Sequence, residues 1–184
     1  CAVISLGSEA DTDAAVDAAR VAFDGWAATP PEERIACVER ILEIYGRRAG
    51  DMAEAIATEM GAPIDFSASD QVTAGSWHMK GFLKAAAHFE FESGLYAQKG
   101  ARILKDPVGV VAMITPWNWP MNQVTLKTIP ALIVGCTMVL KPSEIAPLSA
   151  MLYAEILDEA GVPPGVFNLV NGDGAGVGTQ LSRH

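Results

Sequence analysis

Paired cysteines are missing from this chain. Its three cysteines, Cys1, Cys37 and Cys136, are odd in number and irregularly spaced, with no C-x-x-C pair. That excludes a disulfide framework and a cysteine zinc site. The three histidines, His78, His88 and His184, have no partner at i+4 and read as packing or surface residues, so no metal is expected. Positive charge is also scarce: 13 Lys and Arg against 22 Asp and Glu leave a net charge of -9. Such a surface repels a phosphate backbone, and no basic stripe offsets it, which excludes nucleic acid as a partner. No apolar run approaches the roughly 20 residues that span a bilayer, so no membrane association is expected. The opening Cys1-Ala2-Val3-Ile4-Ser5-Leu6 lacks the basic region of a secretory signal. A cytoplasmic protein is the resulting expectation. Because the chain begins with cysteine, its first residue is expected not to be the gene's own start.

What is present is a globular composition, 50% hydrophobic and 19% charged over 184 residues. Residues 1–95 read as an opening strand followed by helices. Ser8 and Asp11 have the spacing of a capping box, and Val16, Phe23 and Trp26 recur at helical spacing after it. Thr29-Pro30-Pro31-Glu32-Glu33 starts a second helix, with proline in the first turn and acids at the positive dipole end. Its apolar face is Ile35, Val38, Ile41, Leu42 and Tyr45. A short third helix carries Met52, Ile56 and Met60 and stops at Gly61-Ala62-Pro63. A longer one runs through Val72, Met79, Phe82, Leu83, Ala86 and Phe89 and closes at Gly94. These are core periodicities without assigned chemistry.

From Arg102 the pattern changes. Ala101 to Pro107 alternates polar and apolar, as an exposed antiparallel strand does. Val108 to Ile114, Thr137 to Leu140 and Val166 to Val170 are continuous apolar runs, with helical stretches at about 121–134 and 147–160 between them. The first of these helices contains Pro130, which predicts a kink. Buried strands alternating with helices predict an α/β fold, with a parallel β-α-β-α-β unit covered on both faces. Ligands of such sheets bind beyond the carboxyl ends of the strands.

Three unusual segments stand at those ends. Glycines 172, 174, 176 and 178 follow a strand and open a helix, where backbone N–H groups can approach a phosphate. Val177 takes the place of the third glycine of a G-x-G-x-x-G pattern, so taken alone the loop favours a plain turn over a nucleotide loop. Lys141-Pro142-Ser143-Glu144 sets a donor and an acceptor at a strand end, suited to the vicinal hydroxyls of a ribose. The competing reading is a turn in which Ser143 caps the next helix. Trp117-Asn118-Trp119, held between Pro116 and Pro120, is a stiff loop with one amide among large rings. That amide either bonds its own loop or donates to an oxyanion. Cys136, at the entry to a buried strand, and Cys37, beside a helix's apolar face, read as core residues and not as nucleophiles.

Taken together, the order and spacing of these segments resemble the aldehyde dehydrogenase superfamily. The matching stretches are Val108 to Val111, Ile114 to Pro120, Pro130 to Leu132, Gly135 to Glu144 and Glu159 to Asn168, with Ala22 to Trp26 and Glu59 to Pro63 in the helical half. The resemblance covers essentially the whole chain. It implies an NAD(P)-dependent oxidoreductase that turns an aldehyde into a carboxylic acid through a cysteine thiohemiacetal and a thioester. It implies a Rossmann-like fold divided into a strand and helical part at 1–95, a strand of the oligomerisation element at 96–107, and the NAD(P)-binding β-α-β-α-β part at 108–184. Asn118 then matches the oxyanion donor and Lys127 a supporting cation. Lys141 and Glu144 match the adenosine ribose contacts, with Ser143 adjacent. Ile114, Thr115, Pro116 and Trp117 match the wall near the cofactor, and Gly174 and Gly178 the glycines near its diphosphate and adenosine end.

The family's nucleophilic cysteine and general-base glutamate have no counterpart here, so the chain is expected to be truncated at both ends, without its catalytic domain and inactive alone. Glu144 favours NAD over NADP, since a carboxylate repels a 2′-phosphate. The implied partners are a small aldehyde and further copies of the protein, as a homodimer or homotetramer. The alternatives left open are a non-catalytic nucleotide-binding or subunit-pairing fragment and a semialdehyde dehydrogenase that acylates coenzyme A.

Overall fold

The structure, a computed structural model, describes residues 2–95 and 100–184. Helix α1 (Glu9–Ala28) begins at the capping box foreseen from Ser8 and Asp11. The Asp11 carboxylate accepts from the Ser8 N–H at 2.8 Å, and the Ser8 hydroxyl accepts from the Asp11 N–H at 3.3 Å. The bonds that the Ser8 N–H and the Ser8 hydroxyl donate to the carboxylate hold the Asp11 carboxyl below its ordinary value. Helix α2 (Pro31–Arg47) starts with proline at its first position, and α3 (Ala49–Met60) ends on left-handed Gly61. The next helix is one rod in three parts: α4 (Ile64–Phe66), a π-helical turn (Ser67–Gln71) and α5 (Val72–Ala86).

Two expectations for this half are corrected. Residues 2–8 form no strand; among the described residues their one backbone bond to another segment runs from the Gly7 N–H to the Asn171 carbonyl, 2.7 Å. A single bond makes no ladder. The long helix ends at Ala86, not at Gly94, because Glu92–Gly94 leaves as strand β1 and pairs antiparallel with β2 (Arg102–Leu104). This ribbon includes the alternating strand expected near 101–107, and residues 96–99 of that segment lie outside the described residues.

The second sheet has three parallel strands in the order β3 (Val110–Ile114), β4 (Thr137–Lys141), β5 (Phe167–Leu169), joined by α6 (Pro120–Val134) and α7 (Leu148–Glu159). The β-α-β-α-β unit is therefore as the apolar runs predicted. Every residue of central β4 is buried, which is why that run is uninterrupted in sequence. Helix α1 packs on β4 and β5, where the Thr137 hydroxyl donates to the Ala19 carbonyl at 2.8 Å. Gly165, at φ +83°, lets α1 come close: a Cβ there would stand 2.7 Å from the Ala18 carbonyl oxygen. One hydrophobic core runs from Trp26 and Val38 through Met79, Leu132 and Leu140 to Val166, so the helical half and the sheet share it.

Buried Arg34 ties that core together with no carboxylate partner among the described residues. Its Nε donates to the Ile133 carbonyl at 2.9 Å, and its Nη1 donates to the carbonyls of Ala27 and Thr29. Burial pushes its pKa down. The carbonyls lie at the ends of α6 and α1, where the helix dipoles favour a cation. After β5, Asn171-Gly172-Asp173 leads into a π-helical turn (Gly174–Gly178) and then the short α8 (Thr179–Arg183).

Candidate functional site

The three strand ends meet around Lys141. Ile114 pairs with Lys141 in the β3–β4 register, and the Thr115 N–H donates to the Lys141 carbonyl at 3.2 Å, so pairing continues one residue past β3. Thr115 is buried, whereas Ile114 is exposed on the other side of the strand. The Lys141 side chain is only 3% exposed. A buried ammonium needs acceptors for its protons, and it has three. It donates to the Pro142 carbonyl at 2.8 Å, the Gly172 carbonyl at 2.5 Å and Glu144 Oε2 at 3.4 Å. The first two bonds lock the cation between the ends of β4 and β5. The third is long, and the Glu144 side chain keeps 46% of its exposure. The pair therefore presents a fixed donor and a solvent-facing acceptor.

Ser143 is buried, and its hydroxyl accepts from the Ile145 N–H at 3.3 Å inside the turn. It does not cap α7, which begins five residues later. That cap is supplied by Glu59, whose Oε2 accepts from the N–H groups of Leu148 and Ser149, the latter at 3.1 Å. Nothing in the local sequence around α7 signals this partner.

The glycine-rich loop packs against the same lysine. A Cβ on Gly172 would lie 2.3 Å from Val177 Cγ2, which leaves room for glycine alone. A Cβ on Gly178 would stand 3.8 Å from Lys141 Cδ and Cε. Gly174 is exposed with open space around it. Asp173 Oδ1 accepts from the Gly176 N–H at 2.5 Å. That backbone donor is occupied by the chain's own carboxylate, and an anion using it would have to displace Asp173.

Past β3, Pro116, Trp117 and Asn118 are exposed. The Trp119 ring meets Phe66 edge-on at 5.7 Å, and its carbonyl accepts from the Gln123 N–H as α6 begins. The Asn118 amide has no hydrogen-bond partner among the described residues. The local use considered for it, bonding its own loop, is not what it does. Lys127, two turns along α6, donates to Gln123 Oε1 at 3.1 Å and to the Gln123 carbonyl at 3.3 Å. The structure brings Ile114, Thr115, Lys141, Ser143, Glu144 and Gly178 into one cluster. Asn118 stands on the loop leading from it.

Cys37 and Cys136 are both buried, and burial pushes the Cys37 thiol up, away from the reactive thiolate. His78 bonds Asn122 Oδ1 at 2.7 Å and His184 bonds Asp13 Oδ1 at 2.8 Å. Among the described residues no group of three potential metal ligands forms, and no helix is long and apolar enough to cross a membrane.

Comparison with known proteins gives one answer. The model of the aldehyde dehydrogenase family matches residues 1–184. A 3-succinoylsemialdehyde-pyridine dehydrogenase of a Pseudomonas species is 50% identical over 99% of this chain and 38% of its own length. A crystal structure of aldehyde dehydrogenase from Bartonella henselae superposes with a TM-score of 0.97 at 60% identity, over 100% of this chain and 39% of the other. Pseudomonas syringae AldC, a cysteine-to-alanine variant in complex with NAD+ and octanal, does so with a TM-score of 0.94 at 47% identity, over 98% and 36%. The chain spans about 38% of the length of the curated relatives it matches.

Proposed function

The chain belongs to the aldehyde dehydrogenase family, and from that premise we propose that the whole protein oxidises an aldehyde to a carboxylic acid with NAD, residues 1–184 supplying the cofactor cradle and one oxyanion donor. The observation that carries the reading is the cluster at the strand ends: a buried, fully bonded Lys141, an exposed Glu144 carboxylate and, on the adjoining loop, an exposed amide with no partner among the described residues. The complex of AldC with NAD+ and octanal supports the choice of cofactor and substrate class.

These residues fit a ribose. Lys141 and Glu144 are an adjacent donor and acceptor, and their 3.4 Å contact is the weakest of the ammonium's three. A hydroxyl pair can insert there while the bonds to Pro142 and Gly172 keep the cation in place. Ser143 orders the turn through Ile145, and Gly178 leaves the space beside Lys141. Ile114, Pro116 and Trp117 give the approach an apolar wall, with Thr115 holding its base to β4. Gly174 leaves the outer rim of the glycine loop open. The bound cofactor supplies the hydride acceptor. A single carboxylate facing the ribose disfavours a 2′-phosphate, which selects NAD over NADP.

For the chemical step, Asn118 donates its side-chain N–H to the oxyanion formed when a cysteine thiolate outside these residues attacks the aldehyde. A free donor on a loop fixed by Pro116 and Pro120 needs no reorganisation to do so. Lys127 adds positive charge from α6, the helix that follows this loop, its ammonium held by Gln123. The resulting thiohemiacetal becomes a thioester, and water releases the acid. Exposed Ile103 and Leu104 on β2 give the ribbon an apolar edge suited to pairing with another subunit. The test is NADH formation by the whole protein with a series of aldehydes. Activity that requires both aldehyde and NAD supports the reading, and its absence with either cofactor removes it.

A further inference from the structure

Helix α7 follows the turn that carries Ser143 and Glu144, yet it has no cap of its own: its N-cap is Pro147, which has no side-chain acceptor. The first N–H groups of a helix must be bonded by something. Here the partner comes from α3, 89 and 90 residues earlier in the chain, as Glu59 Oε2 accepts from Leu148 and Ser149. Burial raises the Glu59 carboxyl above its ordinary value, against the opposing hydrogen bonds of Ser149 and Leu148. Its other oxygen, Oε1, is buried without a partner among the described residues. A carboxylate placed this way is costly to keep, and the contact it makes is specific.

The consequence lies in the turn. Residues 142–147 are held at one end by the bonds of Lys141 to Pro142 and Gly172. Within the turn, the Ala146 N–H donates to the Ser143 carbonyl at 3.1 Å and the Ile145 N–H to the Ser143 hydroxyl. The far end is held where Glu59 grips the start of α7. Glu144, exposed between these two anchors, can be no better placed than they are.

We propose that Glu59 is a positioning residue for the cofactor ribose: by capping α7 from α3 it fixes the turn that presents Glu144. This rests on the ribose reading of Lys141 and Glu144. Glu59 touches no ligand itself and acts through the turn.

The experiment uses the full-length protein and measures three quantities: the NAD dissociation constant by calorimetry, aldehyde KM and kcat at saturating NAD, and hydrogen exchange at the Leu148 and Ser149 amides. In Glu59→Ala the two amides exchange faster and NAD binds about tenfold more weakly, the scale of a lost helix cap. The aldehyde KM and saturated kcat stay within about twofold, since the oxyanion donor is on another loop. Glu59→Gln, which keeps one acceptor oxygen, restores most of the affinity. Should Glu59→Ala not fold, Glu59→Asp, whose carboxylate is one methylene short of α7, gives the same pattern. Glu144→Gln runs alongside. Unchanged NAD affinity in the Glu59 variants, with weakened binding in Glu144→Gln, overturns the positioning role and leaves the ribose reading standing. Unchanged affinity in Glu144→Gln overturns the ribose reading and, with it, the route by which Glu59 acts.

Discussion

The Lys141 ammonium donates to the carbonyl of Gly172 at 2.5 Å, joining the ends of two adjacent parallel strands that are 31 residues apart in sequence. Lys141→Met removes that link and leaves the Gly172 oxygen without its partner, a loss on the order of 1–3 kcal/mol. The expected result is a lower Tm together with weaker NAD binding in the full-length protein. Lys141→Arg does not rescue it, because a planar guanidinium does not reproduce the ammonium's paired bonds to the Pro142 and Gly172 carbonyls. Calorimetry on both variants checks this.

Gly172 is expected to tolerate no side chain. A Cβ would stand 2.3 Å from Val177 Cγ2, and overpacking of this kind costs roughly 1–3 kcal/mol. Gly172→Ala should lower the Tm, and adding Val177→Ala should recover part of the loss by removing the opposing methyl groups. A double variant no better than the single one would mean that the remaining 2.7 Å approach to the Val177 Cβ, and not the methyl groups, excludes a side chain.

Cofactor choice should turn on Glu144. With its carboxylate replaced in Glu144→Gln, NAD binding weakens and the preference over NADP narrows or reverses. Dissociation constants measured for both cofactors decide the point, and two unchanged values would remove Glu144 from the site.

Much of this geometry was legible in the sequence, for identifiable reasons. Central strand β4 is buried on both faces, and that makes Thr137 to Leu140 a continuous apolar run. Once the strands are placed, the carboxyl end of the sheet follows, and with it the clustering of Lys141, Glu144 and the glycine loop there. The capping box of α1 was readable because it is local. What was not readable depends on contacts between distant residues or on very short elements. Strand β1 is Glu-Ser-Gly and exists through its pairing with β2. The π-helical turn at Ser67–Gln71 leaves no trace in apolar spacing. Residues 2–8 look strand-like but have almost nothing to pair with. Glu59 sits in an ordinary helical last turn, and its role appears only when α3 meets α7. Asn118 was expected among large rings, yet Trp117 is 47% exposed and only Trp119 turns inward, onto Phe66.

Glu59 also sets a pH dependence. Its folded carboxyl is raised above the ordinary value of 4.5, so the folded state binds this proton more tightly than the unfolded chain. The part of its stability that comes from the tighter proton is present below 4.5 and is lost as pH rises through the raised value, while the cap on α7 persists. Glu59→Gln cannot titrate. Its Tm relative to the parent should therefore increase as pH rises across that window and level off above it. A difference independent of pH would contradict the raised carboxyl.

The central proposal is that Asn118 is an oxyanion donor and that neither Cys37 nor Cys136 is the nucleophile, and aldehyde-dependent NADH formation by full-length Asn118→Ala, Cys37→Ser and Cys136→Ser tests it most directly. Asn118→Ala should lose about 10²-fold or more in kcat with little change in NAD affinity. The two cysteine variants, altered only at buried packing positions, should keep the parent's turnover once corrected for folded protein. Turnover abolished by Cys136→Ser in a folded protein, or an Asn118→Ala rate within a few-fold of the parent, would contradict the account.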